Sequence, residues 1–569
     1  MAWLMRKQGN KRSLLIIKQQ VSMGGPSPLI DISMAIQPCL AAATQPAAQQ
    51  PIREDVVGER GGTHTLTLRP WAAKSIPLQG VPMASAPLPL GPAPIQFGTD
   101  GWRGVLGVDI TVERLLPVAA AAAQELAHRA PEGLDSRTVV IGYDRRFLAP
   151  ELAEAIAAAV RGCELEPLLT DTPVPTPACS WAVVERRALG ALVITASHNP
   201  PEWLGLKIKG PFGGSVEGDF TAAVERRLAA GGITIPIQGE VARFPGRDEH
   251  LNGLRTKLDL APIMAGLKAM KLKVIVDPMH GSAAGCISDL FGPAGAGWIE
   301  EIRSERNPLF GGNPPEPLAP YLQDLIAAVR ASTAAGTPAV GLVFDGDGDR
   351  IAAVDETGRF CSTQLLMPLL IDHLARARAL PGSIVKTVSG SDLMRSVAEA
   401  QGRDVLELAV GFKYIAAEML TGNVLIGGEE SGGVGFGMHL PERDALYAAV
   451  LVLEALVEGG QPLGARLTAL QDQHGGASHY DRLDLRLANM EARKRLEQIL
   501  AKATPTAVAG EEVQEVIQTD GIKLRMGPSH WLMLRFSGTE PLLRLYCEGP
   551  NIDRVHAVLT WAQHFAEAA

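Results

Sequence analysis

The sequence predicts an α/β protein, and three observations carry that expectation. From residue 93 onward, short β-rich runs alternate with alanine-rich amphipathic stretches: "TVVIGYD" (138–144) precedes "PELAEAIAAAVRG", and "ALVITAS" leads through a loop to "DFTAAVERRLAA". Further apolar runs, "LKVIVDP", "AVGLVFDGDGD" (339–349), "SIVKTV" and "NVLIGGEESGG", end at polar or glycine-rich turns. Strand, polar loop and helix in repetition is the α/β signature, and ligands in such folds gather beyond the carboxyl ends of the strands. The tail from about residue 476 differs, with "HYDRLDLRL", helical "MEARKRLEQILAKA", then "HWLMLRFSGTEPLLRLYCEG" and a last helix, and reads as a smaller α+β unit.

Length and composition bound the function. The 569 residues are 46% hydrophobic, enough for several cores, so three to five domains are expected. A net charge of −9 without a long basic run argues against a nucleic-acid partner. Small anionic substrates stay open, because local arginines can reverse the field in a cleft. Cys39, Cys163, Cys179, Cys286, Cys361 and Cys547 are scattered with no metal-knuckle spacing, which fits packing roles and a reduced, cytoplasmic compartment. No apolar run approaches the ~20 residues of a membrane span, and "SLLII" near the start is too short for a signal-peptide core. Residues 1–92 show no sustained period and are expected to be a disordered extension, with Met83 as an alternative start.

Four loops carry chemistry. In "AVGLVFDGDGDRIAAVDETG", Asp345, Asp347 and Asp349 alternate with glycines at the end of an apolar strand. Three hard oxygen ligands on one loop ask for Mg²⁺ or Ca²⁺. An EF-hand needs glycine at its sixth position, where Arg350 stands, and needs a helix rather than a strand before it, so Mg²⁺ is favoured. "VITASHNPPEW" (193–203) delivers Ser197 and His198 to a strand's end. "GGEESGG" (427–433) offers Glu429 and Ser431, either to sugar hydroxyls or to solvent. "RFSGTEPLLRL" (535–545) is either an anion nest around Ser537, Gly538 and Thr539 beside Arg535, or a tight strand-to-helix turn. "FGTDGWRG" (97–104) adds Arg103 on a glycine-rich turn, which alone reads as a surface ion pair.

Together, "FGTDGWRG", "TASHNP", "DGDGDR", "VGFKYI", "GEESG" and "RFSGTEP" occur in the order and spacing of the α-D-phosphohexomutase superfamily, which the chain resembles over residues 93–569. The resemblance implies four domains around a central cleft: 93–240 with the phosphoserine loop, 241–356 with the metal loop, 357–474 with the sugar loop, and 475–569 binding phosphate. It implies that Ser197 carries a phosphoryl group and that Asp345, Asp347 and Asp349 hold Mg²⁺ against it. Lys207 becomes the candidate general acid/base, expected to titrate near neutrality, with Arg103 at the same centre and His198 orienting groups or shuttling a proton. Arg350 and Lys413 are expected to contact substrate, Glu429 and Ser431 the ring hydroxyls, and Arg535, Ser537, Gly538, Thr539 and Arg544 the phosphate that is not reacting.

The implied activity is a phosphoglucomutase-type exchange of hexose 1- and 6-phosphates through a hexose 1,6-bisphosphate, which also serves as activator. Two departures bear on the substrate. Leu204 stands where many members have asparagine, and "GEESGG" lacks the histidine after "SG" that many phosphomannose-using members carry. Glucose phosphates are therefore expected. Phosphomannomutase activity or glucose 1,6-bisphosphate synthesis on the same scaffold are the alternatives, with a non-catalytic sugar-phosphate or calcium-binding protein as the remote one.

Overall fold

The computed structural model describes residues 93–231, 236–237, 239–537 and 541–568. The expected extension 1–92, and with it Cys39, lies outside the described residues, as do Gly538 and Thr539.

The first module is a six-stranded mixed sheet in the order Trp102–Val105, Trp203–Lys209, Gly190–Ile194, Thr138–Tyr143, Glu166–Thr170 and Ala242–Phe244. Its central strands are buried on both faces, as parallel strands sandwiched by helices must be. Val139 and Ile141 pack under the helices Val112–His128, Ala149–Gly162 and Gly218–Ala230. Val140, one residue out of phase, packs on the other face against Ala178, Cys179 and Val183 of Thr176–Arg186.

The second sheet runs Phe360–Cys361, Ile351–Val354, Ala339–Phe344, Lys273–Asp277 and Ile299–Glu301. The third runs Val405–Leu408, Ser383–Thr387, Val424–Gly428 and Val434–Phe436. One continuous hydrophobic core joins these two modules through the almost wholly buried helix Ala445–Gly459. The fourth module is a five-stranded antiparallel sheet with Met490–Lys502 and Ile552–Ala568 packed on one face. Among the described residues, no single helix is long and apolar enough to cross a membrane.

The strand–loop–helix expectation needs one correction. In each of the first three modules the chemistry-bearing loop joins an antiparallel strand pair. Gly190–Ile194 returns as Trp203–Lys209, Ala339–Phe344 as Ile351–Val354, and Val424–Gly428 as Val434–Phe436. The reason is legible at Trp203–Lys209. Leu204, Leu206 and Ile208 alternate with Gly205, Lys207 and Lys209, so one face joins the core while the other carries the lysines. Gly205 has no freedom to change, because a Cβ there would lie 2.4 Å from the Trp102 carbonyl oxygen. The "RFSGTEP" segment likewise joins two antiparallel strands, His530–Phe536 and Leu542–Gly549, and is not a strand-to-helix turn.

Candidate active site

Ser197 is fully buried at the turn after Gly190–Ile194, with a left-handed backbone of φ +51°. A non-glycine residue in that region costs roughly 1–2 kcal/mol. What holds it there is Arg146, which the sequence reading passed over. Its Nη2 donates to the Ser197 and Asn199 carbonyls at 2.7 and 2.6 Å, and its Nη1 to those of Pro200 and Trp203 at 2.8 and 3.0 Å. Asp144, at the end of its own strand, faces the Arg146 Nε at 3.2 Å. Burial pushes the Asp144 carboxyl up to about 6 despite that guanidinium. The Ser197 backbone N–H donates to Thr195 Oγ1 at 2.8 Å, completing the loop's framework.

The Ser197 hydroxyl donates to Asp345 Oδ2 at 2.8 Å and lies 3.2 Å from His198 Nδ1. Burial, followed by the charges of Arg350 and Arg103, holds His198 well below the usual imidazole range, so the ring beside Oγ is neutral. Asp345, Asp347 and Asp349 are all fully buried, and each brings an oxygen within 4.8 Å of the others'. Burial first, and Asp347 and Asp349 next, push the Asp345 carboxyl far above the carboxylate range. Asp347 Oδ1 and Asp349 Oδ1 are buried without a hydrogen-bond donor. Convergent hard oxygens with unmet acceptor capacity fit a divalent cation of the Mg²⁺ or Ca²⁺ type.

Lys207 corrects an expectation. Its ammonium lies 2.6 Å from Asp349, 2.8 Å from Asp347 and 2.8 Å from Asp100. Burial opposes the charge, but the three carboxylates overcome it and raise the Lys207 pKa above the ordinary lysine value. Lys207 therefore stays an ammonium and does not titrate near neutrality. Thr176 Oγ1 donates to Asp347 Oδ2 at 2.6 Å, tying the first module to the carboxylate loop.

Of the remaining predicted residues, Arg103, Arg350, Lys413, Glu429, Ser431, Arg535 and Arg544 line a cleft of about 730 Å³. Arg103 lines it and donates to Asn199 Oδ1 at 2.9 Å. Arg350 lines it too, and its backbone bridges to Gly433, so the carboxylate loop and the "GEESGG" loop are physically joined. Glu429, Ser431 and Lys413 line the third module's wall. Burial pushes the Glu429 carboxyl up to about 7, against the pull of Arg443. Arg535 and Arg544 reach the cleft from the fourth module, Arg535 donating to Asp520 at 2.8 Å. Ser537 does not line the cleft; its amide donates to the Leu542 carbonyl within the turn.

Sequence reasoning missed three further cleft residues. Arg443 bridges Asp100 at 2.6 Å and Asp349 at 3.0 Å, and lies 4.0 Å from Glu429. Asp100 in turn contacts Lys207, so one carboxylate and one guanidinium link three modules. Arg482 lines the cleft from the fourth module beside Glu430 and Glu316. Asp100 sat inside the quoted "FGTDGWRG" between two glycines, a signal that was available. Arg443, in "PERDA" ahead of an apolar helix, gave none.

A hydroxyl facing a cation-competent carboxylate cluster, across a basic cleft from a second group of arginines, is suited to moving a phosphoryl group within a small anion; the class this defines is a phosphomutase. The sequence matches "Phosphoglucomutase/phosphomannomutase, alpha/beta/alpha domain I" over residues 94–232, domain II over 248–358, domain III over 363–474 and the C-terminal domain over 485–560. A phosphoglucosamine mutase of Synechococcus sp. is 31% identical over 490 residues, covering 86% of this chain and 98% of its own. A phosphoglucomutase/phosphomannomutase of Thermococcus kodakarensis is 28% identical over 469 residues, covering 81% and 96%. Among solved structures, a putative phosphomannomutase from Thermus thermophilus aligns with a TM-score of 0.73 at 32% identity, covering 84% of this chain and all of that one. The chain belongs to the phosphoglucomutase/phosphomannomutase family, within the α-D-phosphohexomutase superfamily, and is a hexose phosphomutase, an isomerase.

Proposed function

We propose that the protein interconverts hexose 1-phosphate and hexose 6-phosphate, with glucose phosphates as the preferred substrates, through a phosphorylated Ser197 and a hexose 1,6-bisphosphate. The observation that supports this most is the cleft's polarity. His198, whose Nδ1 lies 3.2 Å from the Ser197 hydroxyl, and Arg103 line it from the first module, while Arg482, Arg535 and Arg544 line it from the fourth. A bisphosphate needs cations at both ends, in either orientation.

In the first half-reaction the free sugar hydroxyl attacks the phosphoserine phosphorus. A P–O bond to the sugar forms and the P–Oγ bond breaks; the electron pair stays on Ser197 Oγ, which takes up a proton as the sugar hydroxyl gives one up, so the step is balanced. The Lys207 ammonium is suited to neutralising that developing charge or donating a proton. His198, neutral and beside Oγ, can accept the proton when Ser197 attacks in the return step. Asp345, Asp347 and Asp349 would hold Mg²⁺, which would withdraw charge from the phosphoryl oxygens when bound. Glu429 and Ser431 would grip ring hydroxyls, Arg350 and Lys413 would contact substrate, and Arg535 and Arg544 would hold the phosphate that is not reacting. Thr539 and Gly538 complete that last set in the sequence-based reading.

Relatives named phosphoglucosamine mutase and phosphomannomutase widen the set of sugars to test. A coupled assay with the 1-phosphates of glucose, mannose and glucosamine, with and without glucose 1,6-bisphosphate, tests the reading. Glucose 1-phosphate should give the highest kcat/KM, and the bisphosphate should activate. A higher value for either other sugar overturns the glucose preference. Net release of bisphosphate as the main product would make the enzyme a synthase on the mutase scaffold.

A further inference from the structure

A second pocket, of about 440 Å³, opens between the first and second modules and shares no lining residue with the catalytic cleft. Arg145, Arg247 and Arg306 line it, with Ser282 and the first turn of the helix Gly246–Lys257. Each guanidinium spends only part of its hydrogen-bonding capacity on the protein. Arg145 donates to the Ser304 carbonyl at 2.6 Å and Arg306 to the Arg146 carbonyl at 3.2 Å. Only Arg247 has carboxylate partners, Asp289 and Asp248; Arg145 and Arg306 have none among the described residues. Asp171 and Asp248 also line the pocket and Asp289 pairs with Arg247, so the guanidiniums left without a carboxylate in contact are those of Arg145 and Arg306.

Two further features point to an anion. Ser282 is 2% exposed, and its hydroxyl finds no hydrogen-bond partner. The helix Gly246–Lys257 begins at Pro245 with no capping side chain, which leaves its first-turn N–H groups to a ligand. Like charge accumulates here as well. Burial lowers the Arg145 pKa, and the fields of Arg247 and Arg306 add to this against those of Cys286 and Glu301.

We infer that this pocket is a second anion site, taking a small phosphate or phosphate monoester by charge-assisted hydrogen bonds from Arg145, Arg247 and Arg306, the Ser282 hydroxyl and the helix N-terminus. The site has a route to the chemistry. Arg145 adjoins Arg146, whose guanidinium holds four carbonyls of the Ser197 loop, and Arg306 bonds the Arg146 carbonyl itself. An anion drawing Arg145 and Arg306 together acts on the segment that fixes Ser197.

Calorimetric titration of inorganic phosphate into the full chain tests this, with Arg247→Ala/Arg306→Ala and Ser282→Ala as variants. The parent should show two classes of phosphate site. The double variant should lose one class, weakening it at least about tenfold, while its KM for hexose phosphate stays within about twofold. In turnover, phosphate should change the parent's kcat at saturating substrate, and that component should vanish in the double variant while competitive inhibition remains. Arg306→Ala alone removes an exposed side chain and repeats the test without touching the Arg247–Asp289 pair. A single class of phosphate site in the parent, or equal binding by parent and variants, overturns the site. Purely competitive inhibition in the parent overturns its coupling to Ser197.

Discussion

Two clusters in this molecule have the composition of a metal site, and they differ in what their atoms still lack. Asp345, Asp347 and Asp349 converge from one loop, and two of their oxygens are buried with nothing to accept from. His250, His439 and Asp444 converge from two modules, but Asp444 Oδ2 already accepts from both imidazole Nε2 atoms, at 2.8 and 2.7 Å. Its Oδ1 accepts the N–H groups of Leu446 and Tyr447, capping the buried helix Ala445–Gly459. His439 is stacked on Tyr447, with ring centroids 4.3 Å apart, and on Trp181 at 5.8 Å. One cluster carries unmet acceptor capacity, buried beside the Ser197 hydroxyl. The other has its carboxylate fully engaged, leaves only the His439 Nδ1 without a partner, and joins two modules by hydrogen bonds, with Trp181 of the first stacked against it. Convergence alone does not mark chemistry; convergence with unsatisfied, mutually repelling charge does.

The largest expected effect lies at the centre of the unsatisfied cluster. Ser197→Ala should lower turnover by at least about three orders of magnitude, because no neighbouring group can hold the phosphoryl between half-reactions. Intact-mass spectrometry should show parent protein partly phosphorylated and discharged by glucose 1-phosphate with Mg²⁺. An unmodified Ser197 and a nearly silent alanine variant would remove the serine from the mechanism.

Next comes the carboxylate loop itself. Asp347→Asn should cost about two to three orders of magnitude in kcat, and excess chelator should abolish the parent's activity. The melting temperature of the apo protein should fall by no more than several degrees, since the substitution removes one of three carboxylates facing Lys207 but relieves the repulsion on Asp345, and an amide oxygen can still accept from Thr176. Full activity in chelator, or an unfolded variant, would place this cluster on the structural side of the comparison.

The loops of this comparison were legible in the sequence to unequal degrees. Ser197, the aspartates and the "GEESGG" loop stood out because glycine-rich polar turns interrupt apolar strands, a local pattern. Arg146, Thr176 and Arg443 did not, because each acts on a partner dozens to hundreds of residues away, and Asp144 acts through Arg146. The returning strands were missed for another reason. "IAAV" and "VGF" are too short to show a period, and "WLGLKIK" was read as loop although its alternation was present. The titration of Lys207 was misjudged because no sequence pattern shows that three carboxylates surround it.

A smaller effect is expected at the edge of the cleft. Glu429→Gln should raise KM about tenfold and lower kcat without preventing phosphorylation of Ser197. It also carries a pH signature. The folded protein holds the Glu429 proton up to about 7, above the ordinary 4.5. The stability that this burial leaves in place is therefore full below the ordinary value and is lost as pH rises through about 7. Melting curves should show the glutamine variant gaining on the parent as pH rises through that window. A pH-independent difference would mean that Glu429 is ionised in the folded protein throughout.

The smallest effect on activity, and the sharpest on the comparison, belongs to the closed network. His250 is buried on the helix Gly246–Lys257 and reaches Asp444 across the module boundary. His250→Ala removes one of two donors to a buried carboxylate and leaves a small void beside Trp181, with which its ring makes a tilted contact. Losing such a bond while the acceptor stays buried costs about 1–3 kcal/mol, which should appear as a melting temperature lower by several degrees. His439 still donates to Asp444, and the helix cap through Oδ1 is untouched, so the module keeps its place. Turnover at a temperature where the variant is folded should therefore remain within about twofold of the parent. The same variant separates the two readings of the cluster. A closed hydrogen-bonded clamp predicts that added zinc changes the melting temperature of neither protein. Stoichiometric zinc in the purified parent, lost together with stability in His250→Ala, would show instead that the hydrogen bonds between these side chains stand in for a metal, and the distinction between the two clusters would fall.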